Sequence, residues 1–272
     1  MKPIDPQRPG VALTIAGSDS SGGAGVQADL RTFALLGVHG VCAVTALTAQ
    51  NPRGVIDVLP VHPEFVGGQI DAVAQDFGIG ATKTGMLAER GVVEMVAAKV
   101  REHGLQPLVI DPVLVATTGR RLLDHDGLSA LVSQLLPLAT VVTPNIDEAE
   151  ALTGRSARTP TAIRDVARHL HALGPGAVVV KGGHARDADA AIDVLFDGHG
   201  FREFSGPRYA VQAVHGTGCA FSAAIAACLA RGDDLPTAVA GAKSVVAAGI
   251  RRAIVAGDGS YLVNTVSRAA DS

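Results

Sequence analysis

Aromatic side chains are scarce in this sequence: Phe, Tyr and Trp make up 3% of 272 residues, and Trp is absent. Single-stranded nucleic acid is held by stacking on such rings, so that class of function is excluded. No basic excess exists either. Lys+Arg is 23, Asp+Glu is 26, and the formal net charge is -3. The basic stripe that neutralises a phosphate backbone is therefore missing, and no nucleic-acid partner is expected. Cysteine is rare, with only Cys42, Cys219 and Cys228, and no pair has CxxC spacing. With no signal-peptide pattern, that usage points to a reducing cytoplasm. No apolar run reaches the roughly 18 residues of a membrane span. The most apolar windows, 219–230 and 238–250, are interrupted or bounded by Arg231, Gly232, Asp233, Asp234 and Lys243, and read as buried helices. The histidines show no HExxH spacing. There is no GxGxxG fingerprint, and no P-loop, because Gly23 stands where the phosphate-reaching lysine would be.

What is present suits one large core: 47% of residues are hydrophobic and 32 are glycine. Residues 1–10 carry Pro3, Pro6 and Pro9 and read as a frayed lead-in. No repeat or low-complexity linker divides the rest, so 11–272 is expected to be a single domain. Short β-rich runs alternate with helical patterns. Strands are expected at Val11–Ala16, Val41–Leu47, Val55–Leu59, Ala81–Thr84, Leu108–Asp111, Thr140–Thr143 and Ala177–Lys181. Helices are expected at Gly25–Leu36, Pro63–Asp76, Glu89–His103, Leu128–Leu136, Asp147–Leu152, Thr161–Leu173 and near 217–231 and 235–252. Asp197-Gly198 between Ala190–Phe196 and Gly200–Phe204 is a hairpin signal. Alternation of this kind implies an α/β fold with a mainly parallel sheet covered on both faces. Ligands in such sheets sit beyond the carboxyl ends of the strands. Gly17-Ser18-Asp19, Gln50-Asn51, Gly85-Met86, Asp111-Pro112, Thr143-Pro144-Asn145 and Lys181-Gly182-Gly183 all fall at such ends and suggest one shared site.

Five segments could carry chemistry. Gly17–Gly25 follows a strand and opens a helix, and its amides could hold an anion or a small polar ligand; the competing role is a packing turn. His215-Gly216-Thr217-Gly218-Cys219 precedes the apolar run Ala220–Leu229. Its amides and the helix dipole favour negative charge, which suits phosphoryl transfer. Cys219 would lie in the first turn, where a thiol pKa tends to fall, and could orient or deprotonate a hydroxyl. A capped helix with a structural Cys is the plainer alternative. Asn145 and Glu148 could be a capping box, or Glu148 could hold Mg²⁺ through water. Asp111 ends a strand with a carboxylate, either for that cation or as a turn residue. Lys181, at the end of an apolar strand, could place its charge on a nucleotide phosphate.

These segments in this order resemble the ribokinase-like superfamily, and more closely the phosphomethylpyrimidine kinases of thiamine biosynthesis. The strings LTIAGSDSSGGAGVQADLRTF, TALTAQNPRGV, TKTGMLAE, VIDPV, TPNIDEAEAL, VVVKGGH and HGTGC carry the resemblance, from about Val11 to about Ile254. It implies a three-layer αβα sandwich and two ATP-dependent phosphorylations at one site. The first acts on the alcohol of 4-amino-5-hydroxymethyl-2-methylpyrimidine and the second on its monophosphate. By the same resemblance, Gly216, Thr217, Gly218 and Cys219 form the catalytic anion hole, with Cys219 beside the substrate hydroxyl where an Asp is common in the superfamily. Gln50 pairs with the polar edge of the pyrimidine; Gly17, Asp19, Ala24, Met86 and Val113 line its pocket. Lys181, Asn145 and Thr217 meet the nucleotide phosphates, and Glu148 and Asp111 hold Mg²⁺. Thr48 stands where an aliphatic Val is expected. A homodimer is implied, with a monovalent cation left open. Rival readings are a pyridoxal kinase of the same branch, against which Gln50-Asn51 argues, a non-catalytic pyrimidine sensor and a dinucleotide oxidoreductase.

Overall fold

The structure is a computed structural model, and it describes residues 10–116, 119–182, 190–209 and 214–266. The order of elements is β1 (Val11–Ala16), α1 (Gly25–Leu35), β2 (His39–Val44), β3 (Ala46–Asn51), β4 (Gly54–Pro60), α2 (Pro63–Asp76), β5 (Ile79–Thr84), α3 (Arg90–His103), β6 (Leu108–Ile110), α4 (His125–Ala130), β7 (Val141–Val142), α5 (Ile146–Thr153), α6 (Pro160–His171), β8 (Val178–Val180), β9 (Ala190–Phe196), β10 (Phe201–Pro207), β11 (Val214–His215), α7 (Thr217–Ala230), α8 (Leu235–Arg251), β12 (Ile254–Val255) and β13 (Tyr261–Leu262).

Eight strands form the central sheet in the order β10-β9-β8-β7-β6-β5-β1-β2. From β8 to β2 the pairing is parallel; β9 and β10 add an antiparallel edge. Period-2 alternation explains why these strands read as continuous apolar runs, since both faces are buried. Leu13, Ile15, Leu108, Ile110, Val142, Val178 and Val180 join one core cluster. Ala12, Val109, Val141 and Val179, the intervening residues, join the other. Helices α1, α7 and α8 cover the second face, where α7 supplies the small buried run Ala220–Cys228. The opposite face is covered by α2, α3, α4, α5 and α6, with Val92, Val93, Val96, Val100, Val166 and Leu170 packed on it. This is the expected three-layer sandwich.

Strand β1 lies between β2 and β5, so the chain leaves β1 to one side and later returns to the other. Such a switch point opens a crevice at the carboxyl edge. The crevice is closed by short bonds: Gly17 N–H donates to Met86 O at 3.1 Å and Gly85 N–H to Ile15 O at 2.9 Å.

One strand assignment needs correction, and one small sheet was not expected. Val41–Leu47 is not one strand. It breaks at Thr45, whose N–H donates to Ala16 O at 3.0 Å and whose hydroxyl donates to Met86 O at 2.6 Å. Those bonds pull the chain off the sheet edge. The following β3 pairs with β4 as a separate antiparallel ribbon that carries Gln50. A small sheet of β11, β13 and β12 went unforeseen, because two-residue strands leave no periodic signal. The Leu128–Leu136 helix is α4 followed by a wider turn over Leu131–Leu135. The hairpin at Asp197 forms as expected, with Asp197 Oδ1 accepting from His199 N–H and Gly200 N–H.

Candidate active site

The loop before α7 is built around Gly216. Its φ is +85°, and a Cβ there would lie 1.8 Å from the carbonyl oxygen of Gly23. Only glycine fits, and the contact presses the Gly17–Gly25 loop against the start of α7. Gly216 is the N-cap and supplies no side-chain oxygen. The first-turn N–H groups of Thr217, Gly218 and Cys219 precede any intrahelical acceptor, so this end of α7 is an anion-receptive surface. Thr217 does not cap it; its hydroxyl donates to Val214 O at 3.3 Å.

Beneath that turn lie the predicted charged residues. Lys181 Nζ donates to Asp111 Oδ1 at 2.9 Å, and Ser222 Oγ donates to Asp111 Oδ2 at 3.2 Å. A Cβ on Gly218 would stand 3.3 Å from Lys181 Nζ and 3.8 Å from Asp111 Oδ2, which places the pair directly under the helix start. Burial would raise the Asp111 pKa, but the Lys181 and Lys83 ammonium groups hold it below the ordinary carboxylate value. Asn145 bridges to Lys181 in parallel fashion. Asn145 and Glu148 form a complete capping box: Asn145 Oδ1 accepts Glu148 N–H and Glu148 Oε2 accepts Asn145 N–H, both at 2.8 Å. The capping role expected for this pair is therefore real. It uses one Glu148 oxygen, and burial pushes the Glu148 carboxyl up to about 7, against the pull of Lys181.

Cys219 departs from its expectation. Its thiol is not lowered by the helix start: burial pushes it up to about 11, although Lys83 and the Gly25 amide pull the other way. In the packed crevice the desolvation of a thiolate outweighs the dipole. Cys219 is a neutral thiol near neutral pH.

The Gly-rich loop also differs from the reading of its amides as an anion nest. Asp19 is the anion. Its Oδ1 accepts Ser21 N–H at 2.9 Å and Ser21 O–H at 2.8 Å, and its Oδ2 accepts Ala24 N–H at 2.8 Å. His215 Nε2 lies 2.9 Å from the same Oδ2. Asp19 is 2% exposed. It is turned inward and braces the loop instead of lining a pocket. Gly17 and Met86 meet at the crevice floor, where a Cβ on Gly17 would stand 3.1 Å from Met86 Sδ. Val113 follows Asp111 on the same rim, its N–H donating to Asp111 O at 2.9 Å. Gln50 reaches the site from the β3–β4 ribbon, its amide 3.3 Å from His215 Nε2. Lys181-Gly182 ends β8 as foreseen, and Gly182 has no room for a side chain, since a Cβ would lie 1.8 Å from Ile192 O. Gly183 and His184 lie outside the described residues.

One buried pair was missed. Lys83 and Asp29 are fully buried, with Nζ to Oδ2 at 2.7 Å, and Thr14 donates to the same oxygen at 2.6 Å. A Cβ on Gly85 would lie 2.9 Å from Lys83 Nζ, so the ammonium group sits against the crevice wall. The available signal was a single Lys inside the buried run of β5.

Among the described residues, the one group that gathers three metal-ligating atoms is Asp71, Glu102 and His103, away from this site. Lys99 Nζ is 2.7 Å from Asp71 Oδ2 and already neutralises it. No helix among the described residues is long and apolar enough to cross a membrane.

A mainly parallel three-layer sandwich with a bare helix start over a lysine–carboxylate pair is a ribokinase-like phosphotransferase architecture. The chain belongs to the phosphomethylpyrimidine kinase family, whose model matches residues 19–264. It is 48% identical to the thiamine biosynthesis bifunctional protein ThiED of Geobacter sulfurreducens over 96% of its own length, but spans about half of that protein, 53%. It is 47% identical to the hydroxymethylpyrimidine/phosphomethylpyrimidine kinase of Mycobacterium tuberculosis, with 94% of each chain covered. It is also similar to the solved ADP complex of Bacillus subtilis pyridoxal kinase: TM-score 0.88, 36% identity, 95% of this chain and 98% of that one.

Proposed function

We propose that the chain acts as one kinase domain over residues 11–272. It transfers the ATP γ-phosphate to the hydroxymethyl group of 4-amino-5-hydroxymethyl-2-methylpyrimidine, and then a second phosphate to the monophosphate. The placement of Gly218 over the Asp111–Lys181 pair carries this reading. The amides of 217–219 and the Lys181 charge converge on one small volume, which suits the spread negative charge of a transferring phosphoryl group. Asn145 lies beside Lys181 and keeps its side-chain NH₂ free of the cap it makes, ready for a phosphate oxygen. Cys219, as a neutral thiol, orients the attacking hydroxyl. A loose transition state asks for little prior deprotonation, so this is sufficient. Gln50 meets the aminopyrimidine edge, with Gly17, Met86, Ala24 and Val113 around the ring.

Asp111 and the free oxygen of Glu148 fit a divalent cation of the Mg²⁺ type. They are hard oxygen donors beside a phosphate surface; Lys181 and Ser222 already hold both Asp111 oxygens and Asn145 holds one of Glu148, so the contact would run through water. Such an ion would neutralise phosphate charge. Leu47, Ile56, Leu59 and Phe65 are exposed on and beside the ribbon and suit a homodimer contact. Cytoplasmic residence completes the reading.

The pyridoxal kinase likeness makes that aldehyde the competing substrate. Gln50 favours the pyrimidine, because an amide both donates to and accepts from an aminopyrimidine edge. Steady-state ADP formation with each substrate decides between them. A higher kcat/KM for the pyrimidine is expected. A higher value for pyridoxal, or no Mg²⁺-dependent ADP release with either, would overturn the proposal.

A further inference from the structure

Asp19, His215, Gln50 and Thr48 form a chain of polar contacts along one wall of the site. The hydrogens available to it fix its arrangement. Asp19 accepts from Ser21 and Ala24, as described, and neighbouring donors hold its carboxyl below the ordinary value despite burial. It is a carboxylate and can only accept, so His215 Nε2, at 2.9 Å, carries a hydrogen. That nitrogen then has no lone pair, so an amide N–H of Gln50 3.3 Å away would find no acceptor there, whereas an amide oxygen can share the hydrogen. At the other end, Thr48 Oγ1 gives its one hydrogen to Ser18 O at 2.8 Å. Facing the second Gln50 amide atom at 3.3 Å, that hydroxyl can only accept. Both ends therefore favour the same orientation: Gln50 Oε1 on His215 and Gln50 Nε2 on Thr48. The amide oxygen and nitrogen have nearly the same shape, so hydrogen bonding alone distinguishes them. The backbone leaves little other freedom. Gln50 N–H donates to Ser20 Oγ, and that hydroxyl faces Gln50 O, both at 2.8 Å.

We infer that Thr48 and His215 are positioning residues that hold Gln50 in this one sense, leaving one amide N–H and one carbonyl lone pair for a ligand. An aliphatic side chain at position 48 would supply no acceptor, so the anchoring depends on this chain's own Thr48. The orientation follows from the contacts alone. Its effect on substrate choice rests on the pyrimidine reading.

Two measurements test it. In the ligand-free protein, ¹⁵N NMR of the histidine rings at pH 6–8 should show His215 protonated at Nε2. Protonation at Nδ1 alone would overturn the inference. In kinetics, Thr48→Val should raise KM for hydroxymethylpyrimidine about fivefold, the loss of roughly one hydrogen bond, with kcat held and Thr48→Ser restoring KM. A pyrimidine lacking the amino group should show no KM change with Thr48→Val. An unchanged KM in Thr48→Val, or equal shifts for both pyrimidines, would refute the positioning role. If the wild-type protein turns over neither pyrimidine, the functional reading fails instead, and the NMR result still decides the orientation.

Discussion

Glu148→Gln should make the protein more stable while impairing it as a kinase. Glu148 is buried, and its carboxyl stands at about 7 instead of the ordinary 4.5. A raised carboxyl pKa means that the native state binds the proton more tightly than the unfolded chain does. Below pH 4.5 both states are protonated and nothing is lost. Between 4.5 and 7 the unfolded chain releases its proton first, and stability falls. Above 7 the full cost persists. At about 1.4 kcal/mol per pH unit, that cost is about 3 kcal/mol at pH 8 and under about 1 kcal/mol at pH 5. Gln at 148 mimics the protonated acid, and its carbonyl can still accept Asn145 N–H. Urea denaturation of both proteins at pH 5 and pH 8, without divalent cation, should show a stability gap in favour of Gln that widens with pH. A gap that is the same at both values, or a Gln variant less stable at pH 8, would refute the argument.

Cys219→Ala should lower the first phosphorylation by up to about 100-fold through misplacement of the hydroxyl. The second should fall less, because a phosphate nucleophile is already ionised; single-turnover measurements of each step separate the two, and equal losses would leave Cys219 a purely shaping role. Lys83→Met should destabilise the fold by about 3–5 kcal/mol, since Asp29 is left as an unpaired buried charge. Most of that loss should return in the Lys83→Met/Asp29→Leu double variant, followed by denaturant melts. Binding of Mg²⁺ with an ATP analogue near pH 6.5 should release a proton from Glu148. Calorimetry in buffers of different ionisation enthalpy reads this release, and the Glu148→Gln variant should show none.

The layered fold was legible because its signals are local. Helix α2 runs over Pro63–Asp76 as its proline start and apolar spacing indicate. Helix α3 stops at Gly104, whose φ of +60° ends it in the left-handed region. Strand ends were equally plain, and five of the six segments proposed to share a site, the last of them as far as Gly182, lie at the carboxyl edge of the central sheet. The sixth, Gln50-Asn51, arrives on the ribbon, because the break at Thr45 depends on Ala16 and Met86, both distant in sequence. Non-local partners also hid the roles of individual side chains. Asp19 looks like a pocket residue until His215 and Ala24 are seen around it. Cys219 looks activated at a helix start until the crevice is seen to be packed. Lys83 is one charge in an apolar strand, and nothing near it in sequence names Asp29 as its partner.

The charges beneath α7 explain why Glu148 is the group that yields. Asp29, Asp111 and Glu148 offer three carboxylates to the two ammonium groups of Lys83 and Lys181. Asp29 and Asp111 each have a lysine within 3 Å. Glu148 has only the helix start and the more distant pull of Lys181. With Glu148 protonated the cluster is neutral; with it ionised there is one excess negative charge in a largely buried cluster. A nucleotide phosphate brings further negative charge to the same place. The surface can therefore accept it well only if a cation arrives too, and Glu148, with one oxygen free and a carboxyl poised near neutrality, is the group whose ionisation such a cation would stabilise. With Glu148 ionised the site is short of one positive charge, and that is the condition in which a cation carried in with the substrate would restore the balance.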